Sequence, residues 1–136
     1  MTATQFALIG YVSWTLLLVV FVGSARTAMV MSGGRTANSF AASGEDVDGF
    51  AKRLTRAHAN CYENLPVAGA LLLYAIATAQ TSITDGLAFA LLGARIAQSL
   101  THLISTSETF VLIRFMFYIV QIAILGFWIV AFLGAI

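Results

Sequence analysis

Four long apolar stretches constrain this chain more than any other feature of its sequence. They are Phe6 to Val22 with a weaker continuation to Met31, Val67 to Ala79, Leu87 to Ile104, and Phe110 to the C-terminus. Each reaches the length of about 20 residues that crosses a bilayer as a helix, once neighbouring residues are included. None alternates polar and apolar residues as membrane barrel strands do. The sequence therefore predicts an all-α membrane protein, a four-transmembrane-helix bundle.

Composition and organisation agree with a single membrane domain. Of 136 residues, 60% are hydrophobic and only 10% are charged, which is far from the balance of a water-soluble domain. No linker or internal repeat divides the chain, so one domain is expected over 1–136. Its helices are predicted at roughly 5–31, 47–80, 86–104 and 108–134. A net charge of +1 without a basic run gives no support to nucleic-acid binding.

The N-terminus and the lone cysteine add two further expectations. Met1 to Gln5 contains no basic residue, so a removable signal peptide is not expected. Cys61 is the only cysteine of the chain, which excludes an intramolecular disulfide. His58 and Cys61 are three residues apart but face away from the polar side of their helix. No metal site is therefore predicted there, and Cys61 is predicted to be an inert packing thiol.

The distribution of basic residues predicts the topology. Most of them surround the first connection: Arg26, Arg35, Lys52, Arg53 and Arg56. Arg95 and Arg114 flank the third connection, whereas the second connection and both termini have none. The positive-inside rule therefore places loops 1–2 and 3–4 in the cytoplasm and both termini outside, in a cell inner membrane or an endomembrane.

Three local signals refine the helices. Pro66 cannot donate to the carbonyl of Tyr62, which predicts a kink at a pocket or a tolerated kink without further meaning. The segment 84–86, Thr-Asp-Gly, is typical of a helix cap and predicts the start of helix 3. Ser105 with Glu108 resembles a capping box and predicts that helix 4 begins after a very short turn.

Polar residues spaced three and four apart share one face on each of three helices. They are Arg53, Arg56, Asn60 and Glu63 on helix 2, Arg95, Gln98, Ser99 and His102 on helix 3, and Arg114, Tyr118 and Gln121 on helix 4. At 1.5 Å per residue, Arg114 lies roughly 9 Å into helix 4. Glu63, His102 and Arg114 are thus expected near one level in the cytoplasmic half, with Arg95 near mid-membrane.

These charges need partners inside an assembly. An ionised side chain at the bilayer centre costs on the order of 3 kcal/mol, so lipid exposure of Arg95 is excluded. Arg56, Arg95 and Arg114 outnumber Glu63, and a bound carboxylate or thiolate would correct the surplus of positive charge. The alternative is a structural ion pair between Glu63 and Arg95, within or across subunits, with Arg56 and Arg114 reaching lipid headgroups.

The segment Arg53–Pro66, RLTRAHANCYENLP, strongly resembles the membrane-associated proteins in eicosanoid and glutathione metabolism. This family contains the microsomal glutathione transferases and the leukotriene and prostaglandin E synthases. The matching positions are Arg56, Asn60, Glu63 and Pro66 on helix 2, Arg95 within GARIAQS on helix 3, and Arg114 and Tyr118 on helix 4. With length and helix count, the resemblance covers nearly the whole chain.

The resemblance implies a homotrimer that binds glutathione between neighbouring subunits, in the cytoplasmic half of the bilayer. By position, Asn60 and Glu63 would bind the peptide backbone of glutathione and Arg56 its carboxylates. Arg114 would stabilise the thiolate. The remaining candidate binding residues are His102, Tyr118 and Arg26, with Arg35 as the alternative to Arg26.

Departures from the family pattern bear on the activity. Ala59 replaces an arginine of the prostaglandin E synthases, Gln98 and His102 replace a histidine and a tyrosine, Phe115 replaces a small hydroxyl residue, and Asn64 replaces a tyrosine of the leukotriene synthase. We therefore expect a glutathione transferase or peroxidase acting on hydrophobic electrophiles or lipid hydroperoxides from the bilayer. The alternative is a non-enzymatic scaffold that binds lipid.

Overall fold

Four α-helices account for most of the chain. The computed structural model describes residues 1–134. Its helices are α1 (Ala3–Met31), α2 (Gly49–Ala77), α3 (Thr81–Ile104) and α4 (Glu108–Phe132). No strand occurs in this range, and the all-α class predicted from the sequence is confirmed.

Three of the helices, α1, α3 and α4, are long and apolar enough to cross a membrane. Large apolar side chains such as Leu16 on α1 and Leu112 on α4 are exposed on the outer surface of the bundle, which suits contact with lipid. The helix α2 is as long as α1 but more polar. Its first half carries Lys52, Arg53, Arg56 and Glu63. Three membrane spans are thus supported by length and composition, and the span by α2 stays a prediction.

The helices pack around one core. α1, α2 and α3 all contact one another, and α4 packs on α3 with a smaller contact to α2. Tyr11, Leu54, Leu72, Leu91 and Trp128 are fully buried at these contacts. Short connections at 78–80 and 105–107 make consecutive helices antiparallel. We call the end where α2 and α4 begin the basic end, and the other end the N-terminal end.

Hydrogen bonds between α1 and α3 close the N-terminal end. Asp85 Oδ1 accepts from the backbone N–H of Thr4 at 2.8 Å and from its hydroxyl at 2.7 Å. The hydroxyls of Thr4 and Thr84, both fully buried, lie 2.6 Å apart. The first N–H groups of α1 lack partners within that helix, and Asp85 satisfies one of them.

One predicted helix start and one predicted cap are therefore wrong, whereas the predicted start of α4 at residue 108 is confirmed. α3 begins at Thr81 rather than at residue 86, because Asp85 bonds α1 instead of capping its own helix. α4 begins at Glu108, but its N-terminal cap is Ser107, which makes no side-chain cap bond. Ser105 Oγ instead accepts from the backbone N–H of Ser107 at 3.1 Å. The helix α2 continues through Pro66.

The connection at 32–48 folds back on the basic end. Arg35 forms an ion pair of 2.8 Å with Asp46 Oδ2, and its guanidinium also donates to the carbonyls of Asp46 and Ser39. The Phe40 ring lies 4.8 Å from the Arg35 guanidinium. A backbone hydrogen bond from Ala41, with a further contribution from Arg35, holds the pKa of Asp46 below its ordinary value.

Candidate ligand-binding site

A cavity of about 550 Å³ lies at the basic end, between the start of α2, the end of α3 and the start of α4. Its lining residues are Gly49, Lys52, Arg53, Arg56, His102, Thr106 and Arg114. Four of these seven residues carry cationic side chains, and no acid lines the cavity within the described chain. A cavity of this size and charge is suited to a small molecule with several negative groups.

Arg114 and His102 form the wall of the cavity that α3 and α4 provide. Arg114 Nη1 lies 3.2 Å from His102 Nδ1. A guanidinium can only donate, so Nδ1 of His102 accepts and the imidazole is neutral with its proton on Nε2. The wall therefore presents hydrogen-bond donors, and Arg114 supplies a fixed positive charge.

Two buried glutamines hold the backbone of Arg114 against α3. Gln121 Nε2 donates to Gln98 Oε1 at 2.9 Å, and Gln98 Nε2 donates to the carbonyl of Arg114 at 3.2 Å. Both glutamine side chains are buried, so these bonds are shielded from solvent. Sequence periodicity placed both residues on the polar faces, and the structure shows that they bond to each other.

A second cavity, of about 440 Å³, lies on the other side of α2, between α2 and α1. Arg26, His58 and Glu63 line it, and Arg56 lines both cavities. Glu63 and Arg114 thus open on different cavities of one chain, although the sequence places them near one level. The long side chain of Arg56 connects the two.

Arg95 bonds to Asn60 and not to Glu63. Its Nη1 donates to Asn60 Oδ1 at 2.6 Å and to the carbonyl of Asn60 at 3.1 Å. Its guanidinium also lies 5.6 Å from the centre of the Tyr11 ring. Arg95 is only 1% exposed, so α1 and α2 already enclose it. The Glu63–Arg95 ion pair predicted as the structural alternative is not formed within residues 1–134 of a single chain.

The remaining candidates lie outside the 550 Å³ cavity. Arg26 Nη2 donates to the carbonyl of Ala41 at 3.1 Å, and the residue lines the α1–α2 cavity. Arg35 forms an ion pair with Asp46 and does not line the cavity. The side chain of Tyr118 is 36% exposed and its ring stacks on Phe115, with centroids 6.4 Å apart.

Sequence reasoning missed part of the cavity wall. Lys52, Arg53 and Thr106 line the cavity but were not among the candidate site residues. Arg53 Nε donates to the carbonyl of Leu103 at 2.8 Å and so attaches α2 to the end of α3. The close spacing of Arg53 and Arg56 was the available signal, whereas nothing in the sequence marks Thr106.

Comparison with protein families supports the resemblance noted above. The model of the MAPEG family matches residues 4–134, nearly the whole chain, and the match covers all four helices except the first residue of α1. No curated protein and no solved structure gives a match.

Proposed function

The chain belongs to the MAPEG family, and from that premise we propose that it is a glutathione-dependent membrane enzyme. The proposed activity is that of a transferase or peroxidase acting on hydrophobic electrophiles or lipid hydroperoxides. Family membership makes the chain a membrane protein of glutathione and eicosanoid metabolism. The observation that carries the finer proposal is the cavity lined by four cations at the basic end.

The charges of the cavity complement those of glutathione. Glutathione has two carboxylates and one ammonium group, and its thiolate adds a third negative charge. Arginine guanidinium groups bind carboxylates through two parallel hydrogen bonds, which favours Arg56 as a carboxylate partner. Asn60 and Glu63 are proposed to bind the peptide part, and Arg26, which shares the α1–α2 cavity with Glu63, to make a further carboxylate contact.

Arg114 is proposed to stabilise the thiolate. A free thiol has a pKa of about 8.5, so most of it is protonated at neutral pH. A fixed guanidinium at the sulfur favours the ionised nucleophile. In transfer, the sulfur bonds to the electrophilic carbon while the leaving group departs with its electron pair. In peroxide reduction, two glutathione molecules are oxidised to the disulfide, and the hydroperoxide yields an alcohol and water.

We propose further that the protein is a homotrimer with glutathione bound between neighbouring subunits. The separation of Glu63 and Arg114 into two cavities supports this, because a neighbouring chain can bring the second set of residues to the first. The same proposal keeps α2 as a fourth membrane span and the basic end in the cytoplasm. Mass determination of the detergent-solubilised protein tests the trimer, and labelling of cysteines introduced at the two ends tests the orientation.

Thermal unfolding of the detergent-purified protein with and without millimolar glutathione tests ligand binding. A ligand bound only by the folded state stabilises it by about 2.7 kcal/mol when present at 100 times its Kd. The proposal predicts a rise in Tm that S-methylglutathione reproduces in part, because that compound retains the carboxylates but has no thiolate. An unchanged Tm would contradict the proposal and favour a lipid-binding scaffold without enzymatic activity.

A further inference from the structure

We infer that Arg95 is a positioning residue that fixes the orientation of the Asn60 side chain, so that Asn60 acts on its ligand only as a hydrogen-bond donor. This inference rests on the proposed glutathione site, of which Asn60 is a member. It assigns Arg95 a role other than an ion pair with Glu63.

The hydrogen-bond chemistry of the two side chains fixes the orientation. The Asn60 amide has one accepting and one donating end, whereas a guanidinium has donors alone. Arg95 Nη1 lies 2.6 Å from Oδ1 of Asn60, and rotation of the amide by half a turn would bring two donors together. The oxygen of Asn60 is therefore held towards α3, and Nδ2 is the end left for another partner.

Burial makes this contact stable. Arg95 is 1% exposed. Both Oδ1 and the backbone carbonyl of Asn60 accept hydrogen bonds from Arg95, yet the Asn60 residue is only half-buried. The Tyr11 ring lies beside the guanidinium. A charged donor in surroundings of low dielectric polarises the amide and strengthens its N–H as a donor. Asn60 lines neither of the two cavities but is partly exposed at the surface of the single chain, whereas Arg95 itself is enclosed.

The consequence concerns the part of the ligand that Asn60 binds. A side chain restricted to donation selects an acceptor, so its partner is a carbonyl or carboxylate oxygen of glutathione and not a peptide N–H. The affinity for glutathione then depends on Arg95 through Asn60, without any contact between Arg95 and the ligand.

A double-mutant cycle on glutathione binding tests this inference. We expect Arg95→Gln to weaken binding about tenfold when Asn60 is present and less than about twofold in an Asn60→Ala background, because coupled residues give non-additive effects. Thr4→Val, which disrupts hydrogen bonds between α1 and α3 at the N-terminal end, is the matched control for general destabilisation. It should lower Tm without changing the Kd for glutathione.

Asn60→Asp keeps the inference testable if Arg95 variants fail to fold. An aspartate at this position still accepts from Arg95 but has no donor, so we expect a Tm at least equal to that of the wild type together with at least tenfold weaker binding. Wild-type affinity in Asn60→Asp, or equal losses from Arg95→Gln in both backgrounds, would overturn the inference alone. A wild-type protein that binds no glutathione would overturn the proposed function and this inference together.

Discussion

The polar groups at the two ends of the bundle differ in how far they are paired within the chain. At the N-terminal end, Thr4 hydrogen-bonds directly to both Thr84 and Asp85. At the basic end, four cations surround a cavity of about 550 Å³ without an acid in its described lining. The polar groups of the N-terminal end are paired within the chain, whereas the basic end has positive charge that an external anion can neutralise. Ligand binding is therefore expected at the basic end, and stability is expected to depend on both.

The largest effect is expected from a substitution at the basic end. Arg114→Ala removes the charge proposed to stabilise the thiolate, and we expect kcat for conjugation of a model electrophile to fall by about 100- to 1000-fold, the cost of one donor to a developing anion. Binding should weaken much less, because the carboxylate contacts remain. Equal losses in kcat/KM and in affinity, measured by steady-state kinetics and calorimetry, would contradict the thiolate role.

Arg35→Ala is the matched control for Arg114→Ala. Both changes remove one guanidinium near the basic end, but Arg35 is bound to Asp46 in the connection at 32–48. We expect kcat for the model electrophile to stay within about twofold of the wild type, because screening weakens the field of an exposed charge in solution. A large loss would mean that general positive charge, and not the position of Arg114, drives the reaction.

The second prediction concerns the hydrogen bonds at the N-terminal end. Asp85→Ala leaves the buried N–H and hydroxyl of Thr4 without this acceptor, and we expect a loss of about 1–3 kcal/mol in the free energy of unfolding. Asp85→Asn retains an oxygen at the same place and should cost less. Chemical denaturation in detergent measures both, and the Kd for glutathione should be unchanged in both. A changed Kd would show that the two ends are coupled.

The third prediction concerns the neutral bonds behind the cavity wall. Gln98→Leu alone removes one of the two acceptors of Gln121 Nε2, the other being the Phe117 carbonyl, and should cost about 1 kcal/mol of stability. Leucine at both positions should cost less, since no buried side-chain amide is then left with an unmade bond. Unfolding of the two variants tests this order. The double variant should still lower kcat, because Gln98 no longer holds the Arg114 carbonyl.

The smallest effect is expected in the connection at 32–48. The pKa of Asp46 lies below its ordinary value in the folded protein. The contribution of Asp46 to the stability of the folded connection is therefore present above the pKa of the unfolded state and is lost as the pH falls through the pKa of the folded state. Asp46→Asn should remove this dependence and make the connection easier to cleave near neutral pH. Limited proteolysis from neutral to acidic pH measures the difference. Equal cleavage of variant and wild type would show that the ion pair with Arg35 does not order the connection.

Much of the fold follows from the sequence, because the apolar stretches have the length and periodicity that membrane helices need. The boundaries were less predictable. The segment 84–86 has the composition of a cap, yet Asp85 bonds Thr4, which is distant in sequence. A local pattern cannot indicate that an acceptor serves another helix, and the start of α3 was placed at residue 86 for that reason.

The site was predictable in its residues and less so in its contacts. Spacing identified Arg56, His102 and Arg114, and all three line one cavity. The partner of Arg95 was not predicted, because reasoning from charge looks for an acid and the structure uses the amide of Asn60. Helical periodicity gives the face of a side chain but not the reach of its terminal atoms, so the separation of Glu63 from Arg114 was also missed.

The central claim is that fixed cations at the basic end bind glutathione and ionise it. The most direct measurement is a pH titration of the ultraviolet absorbance of the thiolate, with glutathione bound to the wild type and to Arg114→Ala. We predict that the wild type lowers the pKa of bound glutathione below the ordinary thiol value of about 8.5 and that the variant largely restores it. A bound thiol that titrates in the wild type as it does free in solution would contradict the claim.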